Sequence, residues 1–248
     1  MTPTALTLGL CTALPPAVRA DAFVDPPKAG SMLRLFTDSD QVAVRSLLTD
    51  WTMQFKGNGA LGLHWNNERV TVPAVEAPVG SAEAVDAITT ASRPISGNAY
   101  QDFVKVRNEI TGELTRPEAA VTYYISEESD YLAQMVGANL NRDLMHQQLN
   151  LSVGSSYGWD RIEPLADDDT QGGVQSKTTL HVNAVATQVI SPTTMVRVGA
   201  ELNQVEGLQH NPYRNVYAGG TNLPERHPDS RQRRDAFVRI NQYLSNRS

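Results

Sequence analysis

The segment from Gly207 to Asp235 holds the densest set of side chains able to do chemistry: Arg214, Arg226, Arg231, Arg233 and Arg234, with His210, His227, Tyr213 and Tyr217. Guanidinium forks match phosphate and carboxylate oxygens, so Arg214, Arg226, His227, Arg231 and Arg233 are the candidates for an anion or other ligand site. Glu225, Asp229 and Asp235 lie among them. The same arginines could therefore pair internally and brace a folded loop. Asp167, Asp168 and Asp169, near Glu163, offer hard oxygen ligands to calcium, but without the spacing of an EF-hand loop. An ordinary acidic surface loop has the same composition. His64, His146, His181, His210 and His227 form no zinc-type spacing, so no metal or cofactor is expected. There is no Gly-x-Ser-x-Gly elbow, phosphate loop or dinucleotide fingerprint, and no catalytic residue is assigned.

A second set is spread along the chain: Lys105, Arg107, His181, Arg197, Glu201 and Arg239. Each lies on the polar side of a two-residue alternation. Between Gln148 and Gly158, Leu149, Leu151, Val153 and Tyr157 share one side, and Gln148, Asn150, Ser152, Gly154, Ser156 and Gly158 share the other. Side chains of a strand point alternately to opposite faces, so this is a strand with one apolar and one polar face. Later segments alternate equally well. Val182, Val198, Val238 and Ile240 oppose Asn183, Arg197 and Arg239. A closed sheet in lipid needs this pattern, with charged rows that either line a water-filled pore or cross-pair and plug it.

Ten strands are expected, at roughly 31–37, 41–55, 60–71, 100–111, 118–126, 131–142, 148–158, 176–190, 194–206 and 235–245. In the second, Val44 and Trp51 fall on opposite faces, and a bulge near Leu47 and Leu48 would reconcile them. The long connections, about 72–99, 159–175 and 207–234, all fall at one end of an up-and-down order. Outer-membrane barrels place long loops outside the cell and short turns in the periplasm. The expected fold is an all-β antiparallel up-and-down transmembrane β-barrel with three long loops at one end. A secreted soluble β-sandwich binding carbohydrate or protein also alternates and is the other reading.

Composition is consistent with both. The chain has 248 residues, 40% hydrophobic, with a formal net charge of −6. The negative balance argues against nucleic-acid binding through a general basic field. The first 22 residues read as a signal peptide, with an apolar stretch around Cys11 and small residues near Ala20 and Ala22. Residues 23–248 are then the barrel domain. Outer-membrane lipid and the barrel-assembly machinery are the expected partners, and any small-molecule or ion ligand is unassigned.

Two stretches carry a family resemblance. One is Asn211-Pro212-Tyr213-Arg214, followed by Pro224-Glu225-Arg226-His227-Pro228-Asp229, Arg231 and Arg233. The other is Val85-Asp86-Ala87-Ile88-Thr89-Thr90-Ala91-Ser92-Arg93-Pro94. They resemble the domain-of-unknown-function 3570 family of uncharacterised bacterial proteins, regarded as outer-membrane β-barrels. The resemblance implies a porin-like barrel in the bacterial outer membrane, with a pore, transport or scaffold role. Members are usually longer, so it also implies that this chain is the N-terminal part of such a barrel. It carries over no catalytic residues.

Overall fold

The computed structural model describes residues 26–38, 42–72, 103–164, 173–212, 215–218 and 220–244. The strands are β1 (Lys28–Thr37), β2 (Ala43–Phe55), β3 (Gly59–Val72), β4 (Phe103–Arg116), β5 (Ala119–Glu127) and β6 (Tyr131–Leu144). They continue with β7 (Leu149–Ile162), β8 (Gln175–Ser191), β9 (Thr194–Gly207), β10 (Asn215–Ala218), β11 (Thr221–Pro224) and β12 (Ser230–Gln242). There is no helix among the described residues. Ten strands form one antiparallel up-and-down sheet in the order β1 to β9, then β12, and β10 and β11 form a separate hairpin. The ten-stranded sheet is not closed, and β1 and β12 are its free edges. No second large sheet packs on it, so the described residues do not build a sandwich.

Alternation fixes the faces. Pairing aligns Glu68 with Arg107, Glu109 with Ser126, Asp160 with Lys177 and Asn183 with Glu201, so the polar side chains share one face across the sheet. Burial is inverted relative to a water-soluble protein. Ile162 is the only buried hydrophobic residue among those described, whereas Ser46, Lys105, Ser126 and Asp130 are buried. Thirty large apolar or aromatic side chains are exposed, including Leu140, Val153, Val198, Val238 and Ile240. The sheet therefore curls around its polar face and presents its apolar face outward.

Two expectations are corrected. The register of β2 against β1 and β3 runs without interruption through Leu47 and Leu48, so there is no bulge there. Val44 and Leu48 lie on the inner face while Trp51, Met53 and Phe55 lie on the outer one. The irregularity falls instead in β8, between Val189 and Ser191. The last strand begins at Ser230, about five residues early, because Arg231, Arg233 and Arg234 pair with β9. Polar residues on both faces at this end erase the alternation that marks a strand.

The up-and-down order gathers the turns at 56–58, 117–118, 145–148 and 192–193 at one end. At the other end lie the connections spanning 73–102, 163–174 and 208–229. The turn after β6 is strained, with Met145, His146 and Gln147 at φ 51, 55 and 68. A left-handed conformation costs a non-glycine residue about 1–2 kcal/mol. His146→Gly removes that cost, offset in part by the extra freedom of glycine in the unfolded chain. It is expected to raise stability by about 0.5–1 kcal/mol in a urea titration of the refolded protein.

Candidate functional site: the inner-face charge network

The inner face is built from three ion-paired groups, each spanning several strands. In the first, Arg107 Nη2 donates to Glu68 Oε1 at 3.1 Å, and its Nε lies 3.5 Å from Glu109 Oε1. Glu68 also accepts from Ser46 Oγ, and Glu109 accepts from Tyr124 Oη at 2.8 Å and Asn66 Nδ2 at 2.8 Å. This group links β2, β3, β4 and β5. Beside it, Lys105 Nζ lies 2.5 Å from Glu128 Oε2, with both side chains nearly buried.

The second group joins β6, β7 and β8. Lys177 Nζ donates to Tyr131 Oη at 2.9 Å and lies 2.9 Å from Asp160 Oδ2, while Tyr131 donates to Asp160. Lys177 also stands over the Tyr131 ring. In the third, His181 Nδ1 lies 3.6 Å from Glu201 Oε1 on β9, and Arg233 Nε pairs with Asp235 at 2.8 Å on β12. Asp50 and His64 pair on β2 and β3.

Glycines make room for this packing. A β-carbon on Gly154 would overlap the Asn183 carboxamide and crowd that of Asn139, which stand opposite it on either side. Phe237 lies across Gly199 in the same way, so the ring covers the backbone of β9.

Of the residues singled out from sequence, Lys105, Arg107, His181, Arg197, Glu201 and Arg239 lie on this one face. The arginine segment is dispersed. Arg231 and Arg233 extend the same face on β12, directly opposite Val205 and Asn203. Arg226 and His227 lie in the connection, with His227 Nε2 3.3 Å from Glu225. Glu225 also accepts from the Asn211 backbone N–H at 3.2 Å. Arg214, residues 1–22, Asp167–Asp169 and the Val85–Pro94 run lie outside the described residues.

Sequence reading missed Glu68, Tyr124, Glu128, Tyr131, Asp160 and Lys177. Their signal was the parity they share with neighbours across the ladder, which only the register reveals. Chemically the face is a set of matched charges, with Arg197 and Arg239 the exception opposite each other. Ser156 stands opposite His181, which faces Glu201. No hydrogen bond joins Ser156 to His181, and the neighbouring backbone N–H groups are committed to the sheet. That trio therefore lacks the nucleophile–base contact and the oxyanion donors of a hydrolytic site.

The outer face carries its own order. Trp65 and Trp159 lie in one hydrogen-bonded row, and Trp51, Tyr123 and Tyr157 in the next, across β2 to β7. Tyr157 and Trp159 stack with ring centroids 6.0 Å apart. One row nearer the long connections come Asn67, Asn108, Glu127 and Arg161. On the other side the rows are aliphatic along most of β5 to β9, with Arg116, Arg142 and Arg234 among them.

A family model described as "Protein of unknown function (DUF3570)" matches residues 64–248, most of the chain. The chain belongs to that family. No curated protein and no solved structure matches it significantly. The DUF3570 match begins within β3 and runs through both the ion-paired inner face and the arginine segment. The strands carrying the Arg107, Lys177 and His181 groups therefore belong almost wholly to the DUF3570 region.

Proposed function

We propose that this DUF3570 protein forms the wall of an outer-membrane β-barrel, acting as a pore, transporter or scaffold, with lipid against its apolar face. The inverted burial carries the reading: among the described residues, one buried hydrophobic residue against thirty exposed. A surface of that kind in water would expose far more contiguous apolar area than soluble monomers tolerate. The row order supports it. On β7 the outer face runs from Arg161 through Trp159 and Tyr157 to Val153, Leu151 and Leu149. The ten residue steps of strand from Trp159 to Leu149 span about 33 Å, or about 25 Å of height at a tilt of about 40°. That is the apolar band of such barrels, with the aromatic rows at the headgroup level.

Hydrocarbon does not tolerate unpaired backbone groups, so β1 and β12 must be paired in a bilayer, by each other or by further strands. Export by a signal peptide and insertion by the barrel-assembly machinery follow from this location. The matched inner charges favour a narrow or plugged interior over a wide channel.

Heat-modifiable migration on SDS gels tests the fold: the unboiled protein refolded in detergent should run apart from the boiled one. A peptide tag at Gly220 should be reached by antibody on intact cells, and one at Gly57 should not. A protein that stays soluble without detergent and shows no gel shift overturns the barrel.

A further inference from the structure

Arg197 and Arg239 stand directly opposite each other across the β9–β12 ladder, on the inner face. Like charges directly opposed on adjacent strands destabilise a sheet. The inner face carries one other such pair, Asp235 opposite Glu201, but there Arg233 and His181 lie within ion-pair distance. Lys105, Arg107, Lys177 and Arg233 each have a carboxylate within ion-pair distance. Neither Arg197 nor Arg239 has one among the described residues. Their row continues through Thr187 and Asn150 to Asp143, but Asp143 is three strands from Arg197 and accepts from Asn150 at 2.7 Å. Arg239 is held by its own strand, Nε donating to Asn241 Oδ1 at 3.2 Å.

Asn241 also lines an open cleft of about 680 Å³ between the β8–β9 turn and the end of β12. Its walls include Val189 and Met195 on the inner face, Ile240 from the outer face and Tyr243 past the strand end, with Thr193 and Gln242 at hand. The place thus combines two uncompensated guanidinium groups with an adjoining, mostly apolar recess at the short-turn end.

We propose that Arg197 and Arg239 bind the carboxylate of a small organic anion whose apolar body lies in this cleft. Guanidinium groups on two directly opposed residues can supply paired, charge-assisted hydrogen bonds, and the bound anion cancels the repulsion that the fold otherwise carries. An inorganic oxyanion would satisfy the arginines but leave the apolar walls unused. The inference rests on the barrel reading only for the solute's route, since the inner face must open to water at the short-turn end.

The test is isothermal titration of the full chain, refolded in detergent micelles, with hexanoate and with inorganic phosphate. Hexanoate should bind, with affinity falling as salt rises, and phosphate should bind more weakly. A charge-assisted contact is worth about 1.5–3 kcal/mol, so Arg197→Gln or Arg239→Gln should weaken hexanoate roughly tenfold or more. Arg239→Lys should retain part of the affinity. The double variant R197Q/R239Q should unfold at higher urea than the parent while losing binding. That pairing separates a ligand site from a structural one.

Absence of hexanoate binding in a gel-shifted, folded sample overturns the proposal and leaves the barrel standing. So does binding unchanged in R197Q/R239Q. Tighter binding of phosphate than of hexanoate overturns the organic-anion assignment. Arginine-dependent binding by a protein that shows no gel shift supports the site and removes the barrel.

Discussion

Val182→Arg is expected to lower the stability of the bilayer-refolded protein by about 2–4 kcal/mol. Asn183→Arg, one residue away, is expected to cost less than about 1 kcal/mol. The two positions share a strand, a depth and a neighbourhood, and differ in face. Val182 is central in the outer row of β8, flanked on that face by Leu180 and Ala184, and pairs with Ser155 and Leu202. A guanidinium there must either enter hydrocarbon or distort the bilayer to reach water. At position 183 it meets Glu201 directly opposite, on a face that already carries ions. Urea titrations in phosphatidylcholine vesicles measure both costs. Equal costs, or a larger one at 183, would place the lipid on the other face and end the barrel reading as drawn.

The ease of that comparison shows how much the alternation alone specified. Leu180, Val182, Ala184 and Ala186 against His181 and Asn183 is a pattern that no register can disguise, because neighbouring residues of a strand must point apart. All ten sheet strands, their antiparallel order and the placement of the long connections follow from repeats of that pattern and from chain reversal. The alternation failed where its premise failed. β2 carries Val44 and Leu48 inside and Trp51, Met53 and Phe55 outside, so apolar residues occupy both faces and suggest a bulge. At the start of β12, Ser230, Arg231, Gln232, Arg233 and Arg234 are polar on both faces, so a strand reads as a loop. Both lie where a strand leaves the simple apolar-out, polar-in environment.

The candidate site was half visible for a related reason. Parity assigns Lys105, Arg107, His181, Arg197, Glu201 and Arg239 to one face without knowing which strand lies beside which residue. Partners need register. Glu68 lies opposite Arg107, and Asp160 opposite Lys177, through the stagger of β3 against β4 and β7 against β8, which no tight turn between those strands announces in the sequence. The opposed Arg197 and Arg239 are invisible until β12 is aligned with β9. Loop composition points instead to Arg226 and His227. A run of arginines is conspicuous in one dimension, whereas an uncompensated pair is conspicuous only in three.

Glu128→Gln is expected to cost about 3–5 kcal/mol, because it removes the charge of the carboxylate 2.5 Å from the buried Lys105 ammonium. Lys105 and Glu128 side chains are 8% and 11% exposed. At that depth water screens little of the interaction and rehydrates little of what is lost. The double change Lys105→Met with Glu128→Leu removes both charges together. It should cost far less than the single change, since the desolvation penalty disappears with the pair. A double-mutant cycle in urea should therefore show strong coupling. The outcome bears on function as well as stability. Lys105 and Glu128 lie at the long-connection end of the inner face, the end that the proposed barrel would turn to the cell exterior. Strong coupling means that this rim is dry and sealed by side chains, so passage there requires the pair to separate. A single-variant cost below about 1 kcal/mol would mean that water reaches both groups, and that the rim is an open mouth over the arginine pair at the far end.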